Sequence, residues 1–298
     1  MQRRLSTADL DRLRTALRRK AIDPTKTLFG PDSATWRINR EPILLLGGGR
    51  ALLMQLAHPL VAAGVAEHSG FREQPLQRLR QTLDLMLTIV FADGASALRA
   101  VREIERVHKR VRGILAEDIG PFPRGTRYAA GDPALLFWVH ATLLDSALLV
   151  YERFVGPLKP ALRRAHYEES KVVARLFAIP EHFIPRTLTE FRDYMRHMLA
   201  GDTLTVGRAA REVAAAILSP PLPPGLKQAF QMTNFFTIGL LPPVLRDRYG
   251  LAWGTQRQWL LESIQTMSGT VLPFLPSILR SLPYAHRGTA VGSPAHTR

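Results

Sequence analysis

The chain has 298 residues, 46% of them hydrophobic, which suffices for one large domain or two small ones. Its lack of cysteine excludes disulfides, iron–sulfur clusters, thiolate-held haem, cysteine zinc sites and a thiol nucleophile. Forty basic residues, only six of them lysines, against twenty-five acidic ones give a net charge of +15, which favours an anionic partner.

Of the anionic partners, nucleic acid is not expected, because no zinc-finger spacing, RNA-recognition signature or clear helix-turn-helix occurs. Peripheral contact with an anionic membrane stays open. No uninterrupted apolar run reaches eighteen residues, and the Arg-rich start lacks the apolar core of a signal peptide, so a cytoplasmic location is expected.

In chain order, Ser6 to Arg19 reads as a short basic helix capped by Ser6 or Thr7, and residues 20–42 as a loop punctuated by Pro24, Gly30, Pro31 and Pro42. A helix follows from about Arg50 to Ala66, kinked or broken at Pro59. Pro75 opens another, "PLQRLRQTLDLMLTIVFA", where proline suits the first turn. Ala95 to Glu117 reads as one long amphipathic helix ending near Gly120-Pro121. Asp132-Pro133 caps "DPALLFWVHATLLDSALLVYERFVG", whose faces are nearly all apolar and which belongs in the centre. Further helices fit 160–178, 187–200, 205–218, 224–238 and 255–280, with "SPPLPPG" at 219–225 as a rigid connector. Period-two strands and repeats are hard to find. The expected fold is all-α, a single-domain multi-helix bundle enclosing a buried cofactor pocket. Residues 33–280 would form the body, 1–32 a basic N-terminal helix and linker, and 281–298 a flexible tail.

The run "LLLGGGRALLMQ" invites a phosphate-loop reading, but it carries neither G-x-G-x-x-G in a βαβ unit nor G-x-x-x-x-G-K-[ST]. Gly47, Gly48 and Gly49 then either form a tight turn or let the backbone approach a flat ligand or a neighbouring helix.

Three histidines fall where leucines belong. His108 sits in the stripe Leu98, Val101, Ile104, His108, Val111, Leu115; His140 lies inside "LLFWVHATLL" and His58 inside "LMQLAHPLV". Any one of them fits a hydrogen-bonded core histidine, since a buried imidazole without partners costs about 1–3 kcal/mol. Three in one helical core favour a buried cofactor or metal. Glu105-x-x-His108 has the spacing of a di-iron ligand pair, but no second E-x-x-H or H-E-x-x-H occurs. A single neutral imidazole is enough to hold a haem iron axially, and without cysteine the haem would be a non-covalent b type. In "PLQRLRQTLDLML", Arg78, Thr82 and Leu85 share a face with Gln81 adjacent. That pair would steer dioxygen, a propionate or a carbonyl, unless Arg78 points to solvent and Thr82 bonds back to its own helix.

The segments "LLLGGGRALLMQLAHPLVAAGVAEHSGF", "PLQRLRQTL", "VHKRVRG", "YAAGDPALLFWVHATLLDSALLVYERFVGPL" and "LLPPVLRDRYGLAW" together resemble one family. It is named for the endoplasmic-reticulum-bound oxygenase mpaB and the bacterial rubber oxygenase (latex-clearing protein) catalytic domain. The resemblance runs from about Glu41 to Trp253. It implies a helical, haem b-binding oxygenase that uses dioxygen on an apolar, terpenoid or lipid-like substrate. It also implies that His108 is the iron ligand, with Arg78 and Thr82 on the distal side. Where the rubber oxygenases carry lysine in Arg-x-x-Lys-Thr, this chain has Gln81, so the lysine that can fill the sixth iron position is missing. On the same implication Glu105 would orient the His108 ring, His140 and Trp138 would line or buttress the pocket, and the segment around His58 would pack against the macrocycle. Arg50 would pair with a propionate.

Overall fold

The computed structural model describes residues 27–68, 75–220, 224–276 and 280–285. The expected basic helix at Ser6–Arg19 lies outside them. Helix starts are set by short polar side chains: Ser33 Oγ accepts from the Trp36 N–H ahead of α1 (Ala34–Asn39), inside the stretch read as loop. A 3-10 turn, Pro42–Leu46, leads into α2 (Gly47–Leu56) and α3 (Pro59–His68), which meet at a bend of 104°. The expected continuous helix is thus broken at Ala57-His58, with Pro59 opening the second half, where its missing N–H costs nothing.

Helices α4 (Pro75–Phe91) and α5 (Gly94–His108) form a hairpin, with Asp93 capping α5 through the Ser96 N–H. Here the sequence expectation needs correction: α5 stops at His108 and does not continue to Glu117. Tight turns follow, with Arg110 N–H on Val107 O and Val111 N–H on His108 O. The chain then forms β1 (Arg112–Ile114), paired antiparallel with β2 (Arg127–Ala129), Gly113 facing Tyr128. Gly125, with φ of +88°, helps close this hairpin.

Helix α6 (Pro133–Val150) is capped by Asp132 as expected and runs on through wider π-type turns to Val155, where Gly156 at φ +140° ends it. Pro133–Val155 is long and apolar enough to cross a membrane by length and composition, with half of it buried here. It forms a central post packed against α2 and α7 (Pro160–Leu176). Around it lie α8 (Leu188–Ala200), α9 (Arg208–Leu218), α10 (Pro224–Leu240), α11 (Pro243–Tyr249) and α12 (Thr255–Val271). The last is shorter than the expected 255–280. The main core joins Leu53, Met54, Phe137, Trp138, Tyr167 and Phe191 with their neighbours. The fold is all-α apart from the small hairpin. Packing reaches past Ser281: Leu282 N–H donates to Arg40 O at 2.8 Å, and Leu282 and Ala285 are buried against Trp36 and Phe91.

Candidate functional site

The glycine run lies in the first turn of α2, and two of its members are there for contact with other helices. A β-carbon on Gly47 would stand 3.1 Å from Val150 Cγ2 of α6, and one on Gly49 would overlap Thr237 Oγ1 of α10, whereas Gly48 faces open space. The glycines bring three helices together; they do not cradle a phosphate.

Arg50, one residue on, locks that junction. It is buried, and its guanidinium donates from Nε to Leu240 O (2.9 Å), from Nη1 to Ser146 Oγ (2.6 Å) and from Nη2 to Asp145 Oδ2 (2.7 Å). All three guanidinium nitrogens are engaged by α6 and α10, so Arg50 ties the two helices together.

His58 also has a structural post. Its Nδ1 accepts from the Leu60 N–H at 3.3 Å, capping α3, and its ring lies 5.3 Å from that of Phe122. Burial pushes its pKa down to about 4, against a weaker upward pull from Asp132, so the ring is neutral at pH 7.

His108 ends α5, half-buried, and neither ring nitrogen makes a hydrogen bond among the described residues. Burial lowers its pKa while Glu105, one turn earlier, works against that. The imidazole is neutral and both its nitrogens are free to act. The α4–α5 hairpin sets Arg78 about level with His108, because both lie a similar number of residues from the Ala92-Asp93 connection. Gln81 and Thr82, one turn further along α4, are exposed; the Arg78 side chain lies outside the described residues.

His140 sits on α6 beside Phe137, with ring centroids 6.1 Å apart, and makes no hydrogen bond. Burial pushes its pKa down to about 4. Trp138 is fully buried, its Nε1–H without a partner, and its ring lies 6.4 Å from that of Tyr194. Two residues apart on a helix, Trp138 and His140 point to nearly opposite sides. No hydrogen bond or ring contact joins His108 to His140, His58 or Trp138 among the described residues.

The sequence reading missed His166. This residue of α7 is buried, with Nδ1 3.1 Å from Thr35 Oγ1 and Nε2 without any partner. Burial, and then the proximity of His140, push its pKa down to about 4. Glu169, one turn on, does not neutralise it. Its two oxygens accept from the Ala34 and Thr35 N–H groups at 3.2 and 2.7 Å, at the start of α1. The available signal was the spacing Leu162, His166, Val173, Phe177 along one face of a helix otherwise rich in charge.

Among the described residues, no three His, Asp or Glu side chains gather into a metal-ion cage. A cavity of about 540 Å³ opens beside Arg37, Tyr151, Leu158, Lys159 and Leu162, and its lining includes none of the residues expected at the site.

Fold and site define an all-helical protein whose apolar interior holds several neutral imidazoles with unused nitrogens. Residues 35–270 match the model of the family described as ER-bound oxygenase mpaB/B'/Rubber oxygenase, catalytic domain, and the chain belongs to that family. The family is an oxygenase catalytic domain, which supports a general oxygenase role acting on a small molecule with dioxygen. Uncharacterized proteins of Mycobacterium bovis and Mycobacterium tuberculosis are each 27% identical over 232 residues, covering 74% of this chain and 87% of theirs. No solved structure gives a significant match.

Proposed function

We propose that the protein is a haem b-dependent oxygenase that uses dioxygen on an apolar, terpenoid or lipid-like substrate. The observation that carries this reading is His108: a half-buried imidazole, kept neutral by its surroundings, with neither nitrogen hydrogen-bonded among the described residues, in a chain of an oxygenase family. These are the properties an axial ligand needs, since metals bind the neutral ring. The donor chemistry therefore fits haem.

When bound, haem would supply the centre at which dioxygen is activated. The chain's own residues do the rest. His108 would hold the iron through one nitrogen, while Glu105, whose charge reaches the ring, favours a proton on the other. Arg78, set level with His108 by the hairpin, and Thr82 would serve as hydrogen-bond donors to dioxygen or to a polar group of the substrate. Gln81 stands where the rubber oxygenases carry lysine. Its amide would be a weaker donor to a metal than the lysine amine. The apolar interior excludes bulk water and suits a hydrocarbon chain.

The test is spectroscopic. Protein purified from cells supplied with a haem precursor is expected to show a Soret band, lost in His108→Ala and retained in His140→Ala. Loss in His140→Ala alone would move the ligand to the central helix, and no band in the parent protein would refute haem dependence. Oxygen uptake over a panel of isoprenoid and fatty substrates, with a reductant present, then tests the oxygenase role. No substrate-dependent uptake would leave a binding protein.

A further inference from the structure

Helix α12 packs on the body from one side. Leu261 and Gln265 are buried there, and Ser268 Oγ donates to Phe154 O at 3.0 Å. The other side is apolar and bare. Trp259 is 68% exposed and Met267 62%, with Leu260 and Val271 also exposed; just past the helix end Phe274 is 85% exposed. At 100° per residue these helix positions, together with Ser263 and Thr270, fall within about a third of the circumference. No acidic side chain interrupts them. Glu262 lies on the flank, where it accepts from Gln258 Nε2, and Arg257 stands exposed at the first turn. Single exposed leucines need no explanation, but five large apolar side chains on one side, with Gln256, Ser263 and Thr270 between them, do.

We propose that this ridge docks the protein on an anionic lipid surface, with Trp259 and Phe274 entering the headgroup–acyl boundary. Charge decides between lipid and a second copy of the chain. Two molecules of net charge +15 repel each other, while an anionic leaflet attracts each of them. Arg257 on α12, and Arg153 on the π-type segment that α12 packs against, are both exposed and add positive charge to this region. The composition agrees, because aromatic residues on an apolar face next to arginines suit a helix lying in the interface plane. A ring as bare as Phe274 has almost no neighbour in its own chain, and a fluid acyl layer accepts it without a preformed pocket. The inference stands independently of the haem reading.

The test uses the full chain and vesicles of phosphatidylcholine with about 30% phosphatidylglycerol. The parent protein is expected to sediment with them, and less so as salt rises. Trp259→Ser combined with Phe274→Ser should reduce partitioning by about tenfold or more. Both positions are exposed, so unchanged helical circular dichroism verifies the fold, and Ile114→Ser, another exposed apolar site, should leave binding intact. Three results would overturn the proposal. The parent may fail to sediment with the vesicles, or the double variant may bind as well as the parent. In the third, the parent is a dimer in solution that the double variant dissolves, which would assign the ridge to a second copy.

Discussion

Acidification should destabilise the protein well before its carboxylates titrate. His58 and His166 are buried, and burial pushes each from an ordinary value of 6.5 down to about 4. Between those values the unfolded chain binds a proton at each position and the folded chain does not, so stability rises with pH across this window. It is fully present above about pH 6.5 and is lost as pH falls towards 4. Going from pH 7.5 to 5.5, each of the two histidines removes about 1.3 kcal/mol, or nearly 3 kcal/mol together, out of a typical total of about 5–15 kcal/mol. His140 shifts in the same direction and adds to the loss. Urea unfolding of the ligand-free protein at half-unit steps from pH 7.5 to 5.5 measures this directly. In His166→Phe the absolute stability changes as well, but the diagnostic quantity is the slope, which should flatten by about one proton. A midpoint that stays level down to pH 5.5, or a slope that His166→Phe leaves untouched, would refute the claim that these rings are held neutral.

Three further outcomes follow from the packing. Arg50→Ala should cost about 3–5 kcal/mol, because it removes a buried cation bonded to α6 and α10 and strands Ser146 and the Leu240 carbonyl; denaturant titration reads it. Gly49→Ala should lose about 1–3 kcal/mol through overlap with Thr237, with part recovered by Thr237→Ala, while Gly48→Ala should be neutral or stabilise by up to about 1 kcal/mol. Asp132→Ala should lower the thermal midpoint by an amount matching about 1 kcal/mol, the value of the α6 cap.

The helices were legible because a 3.6-residue apolar period survives tertiary context, and the Asp132 cap was legible because its side chain serves a group two residues away. The end of α5 was not. Val111 and Leu115 continue the stripe of Leu98, Val101, Ile104 and His108 at acceptable helical spacing, and both do pack inward. They reach the interior along a strand: Arg112 and Ile114 face out while Gly113 and Leu115 turn in, and over so short a run the two periods agree. Arg50 drew a binding role from its place beside the glycines. Its partners, Asp145, Ser146 and Leu240, lie about a hundred or more residues away, and nothing local in the sequence announces them. His166 was hidden by the charged residues that share its helix.

The polar residues of this interior therefore serve two purposes that the sequence alone renders alike. Arg50 and Glu169 spend their charges on backbone and side-chain groups of neighbouring helices, and the glycines of α2 let those helices close. Because Glu169 is committed to the start of α1, no carboxylate is left to pair with His166, and the ring stays neutral with one nitrogen idle. His140 is neutral for the same reason, since its surroundings are apolar and another imidazole. An interior that engaged both nitrogens of these rings with carboxylates would be more stable in acid, but no nitrogen would be left for a metal. The acid lability argued above and the capacity of the histidines to act as ligands are thus two consequences of one feature.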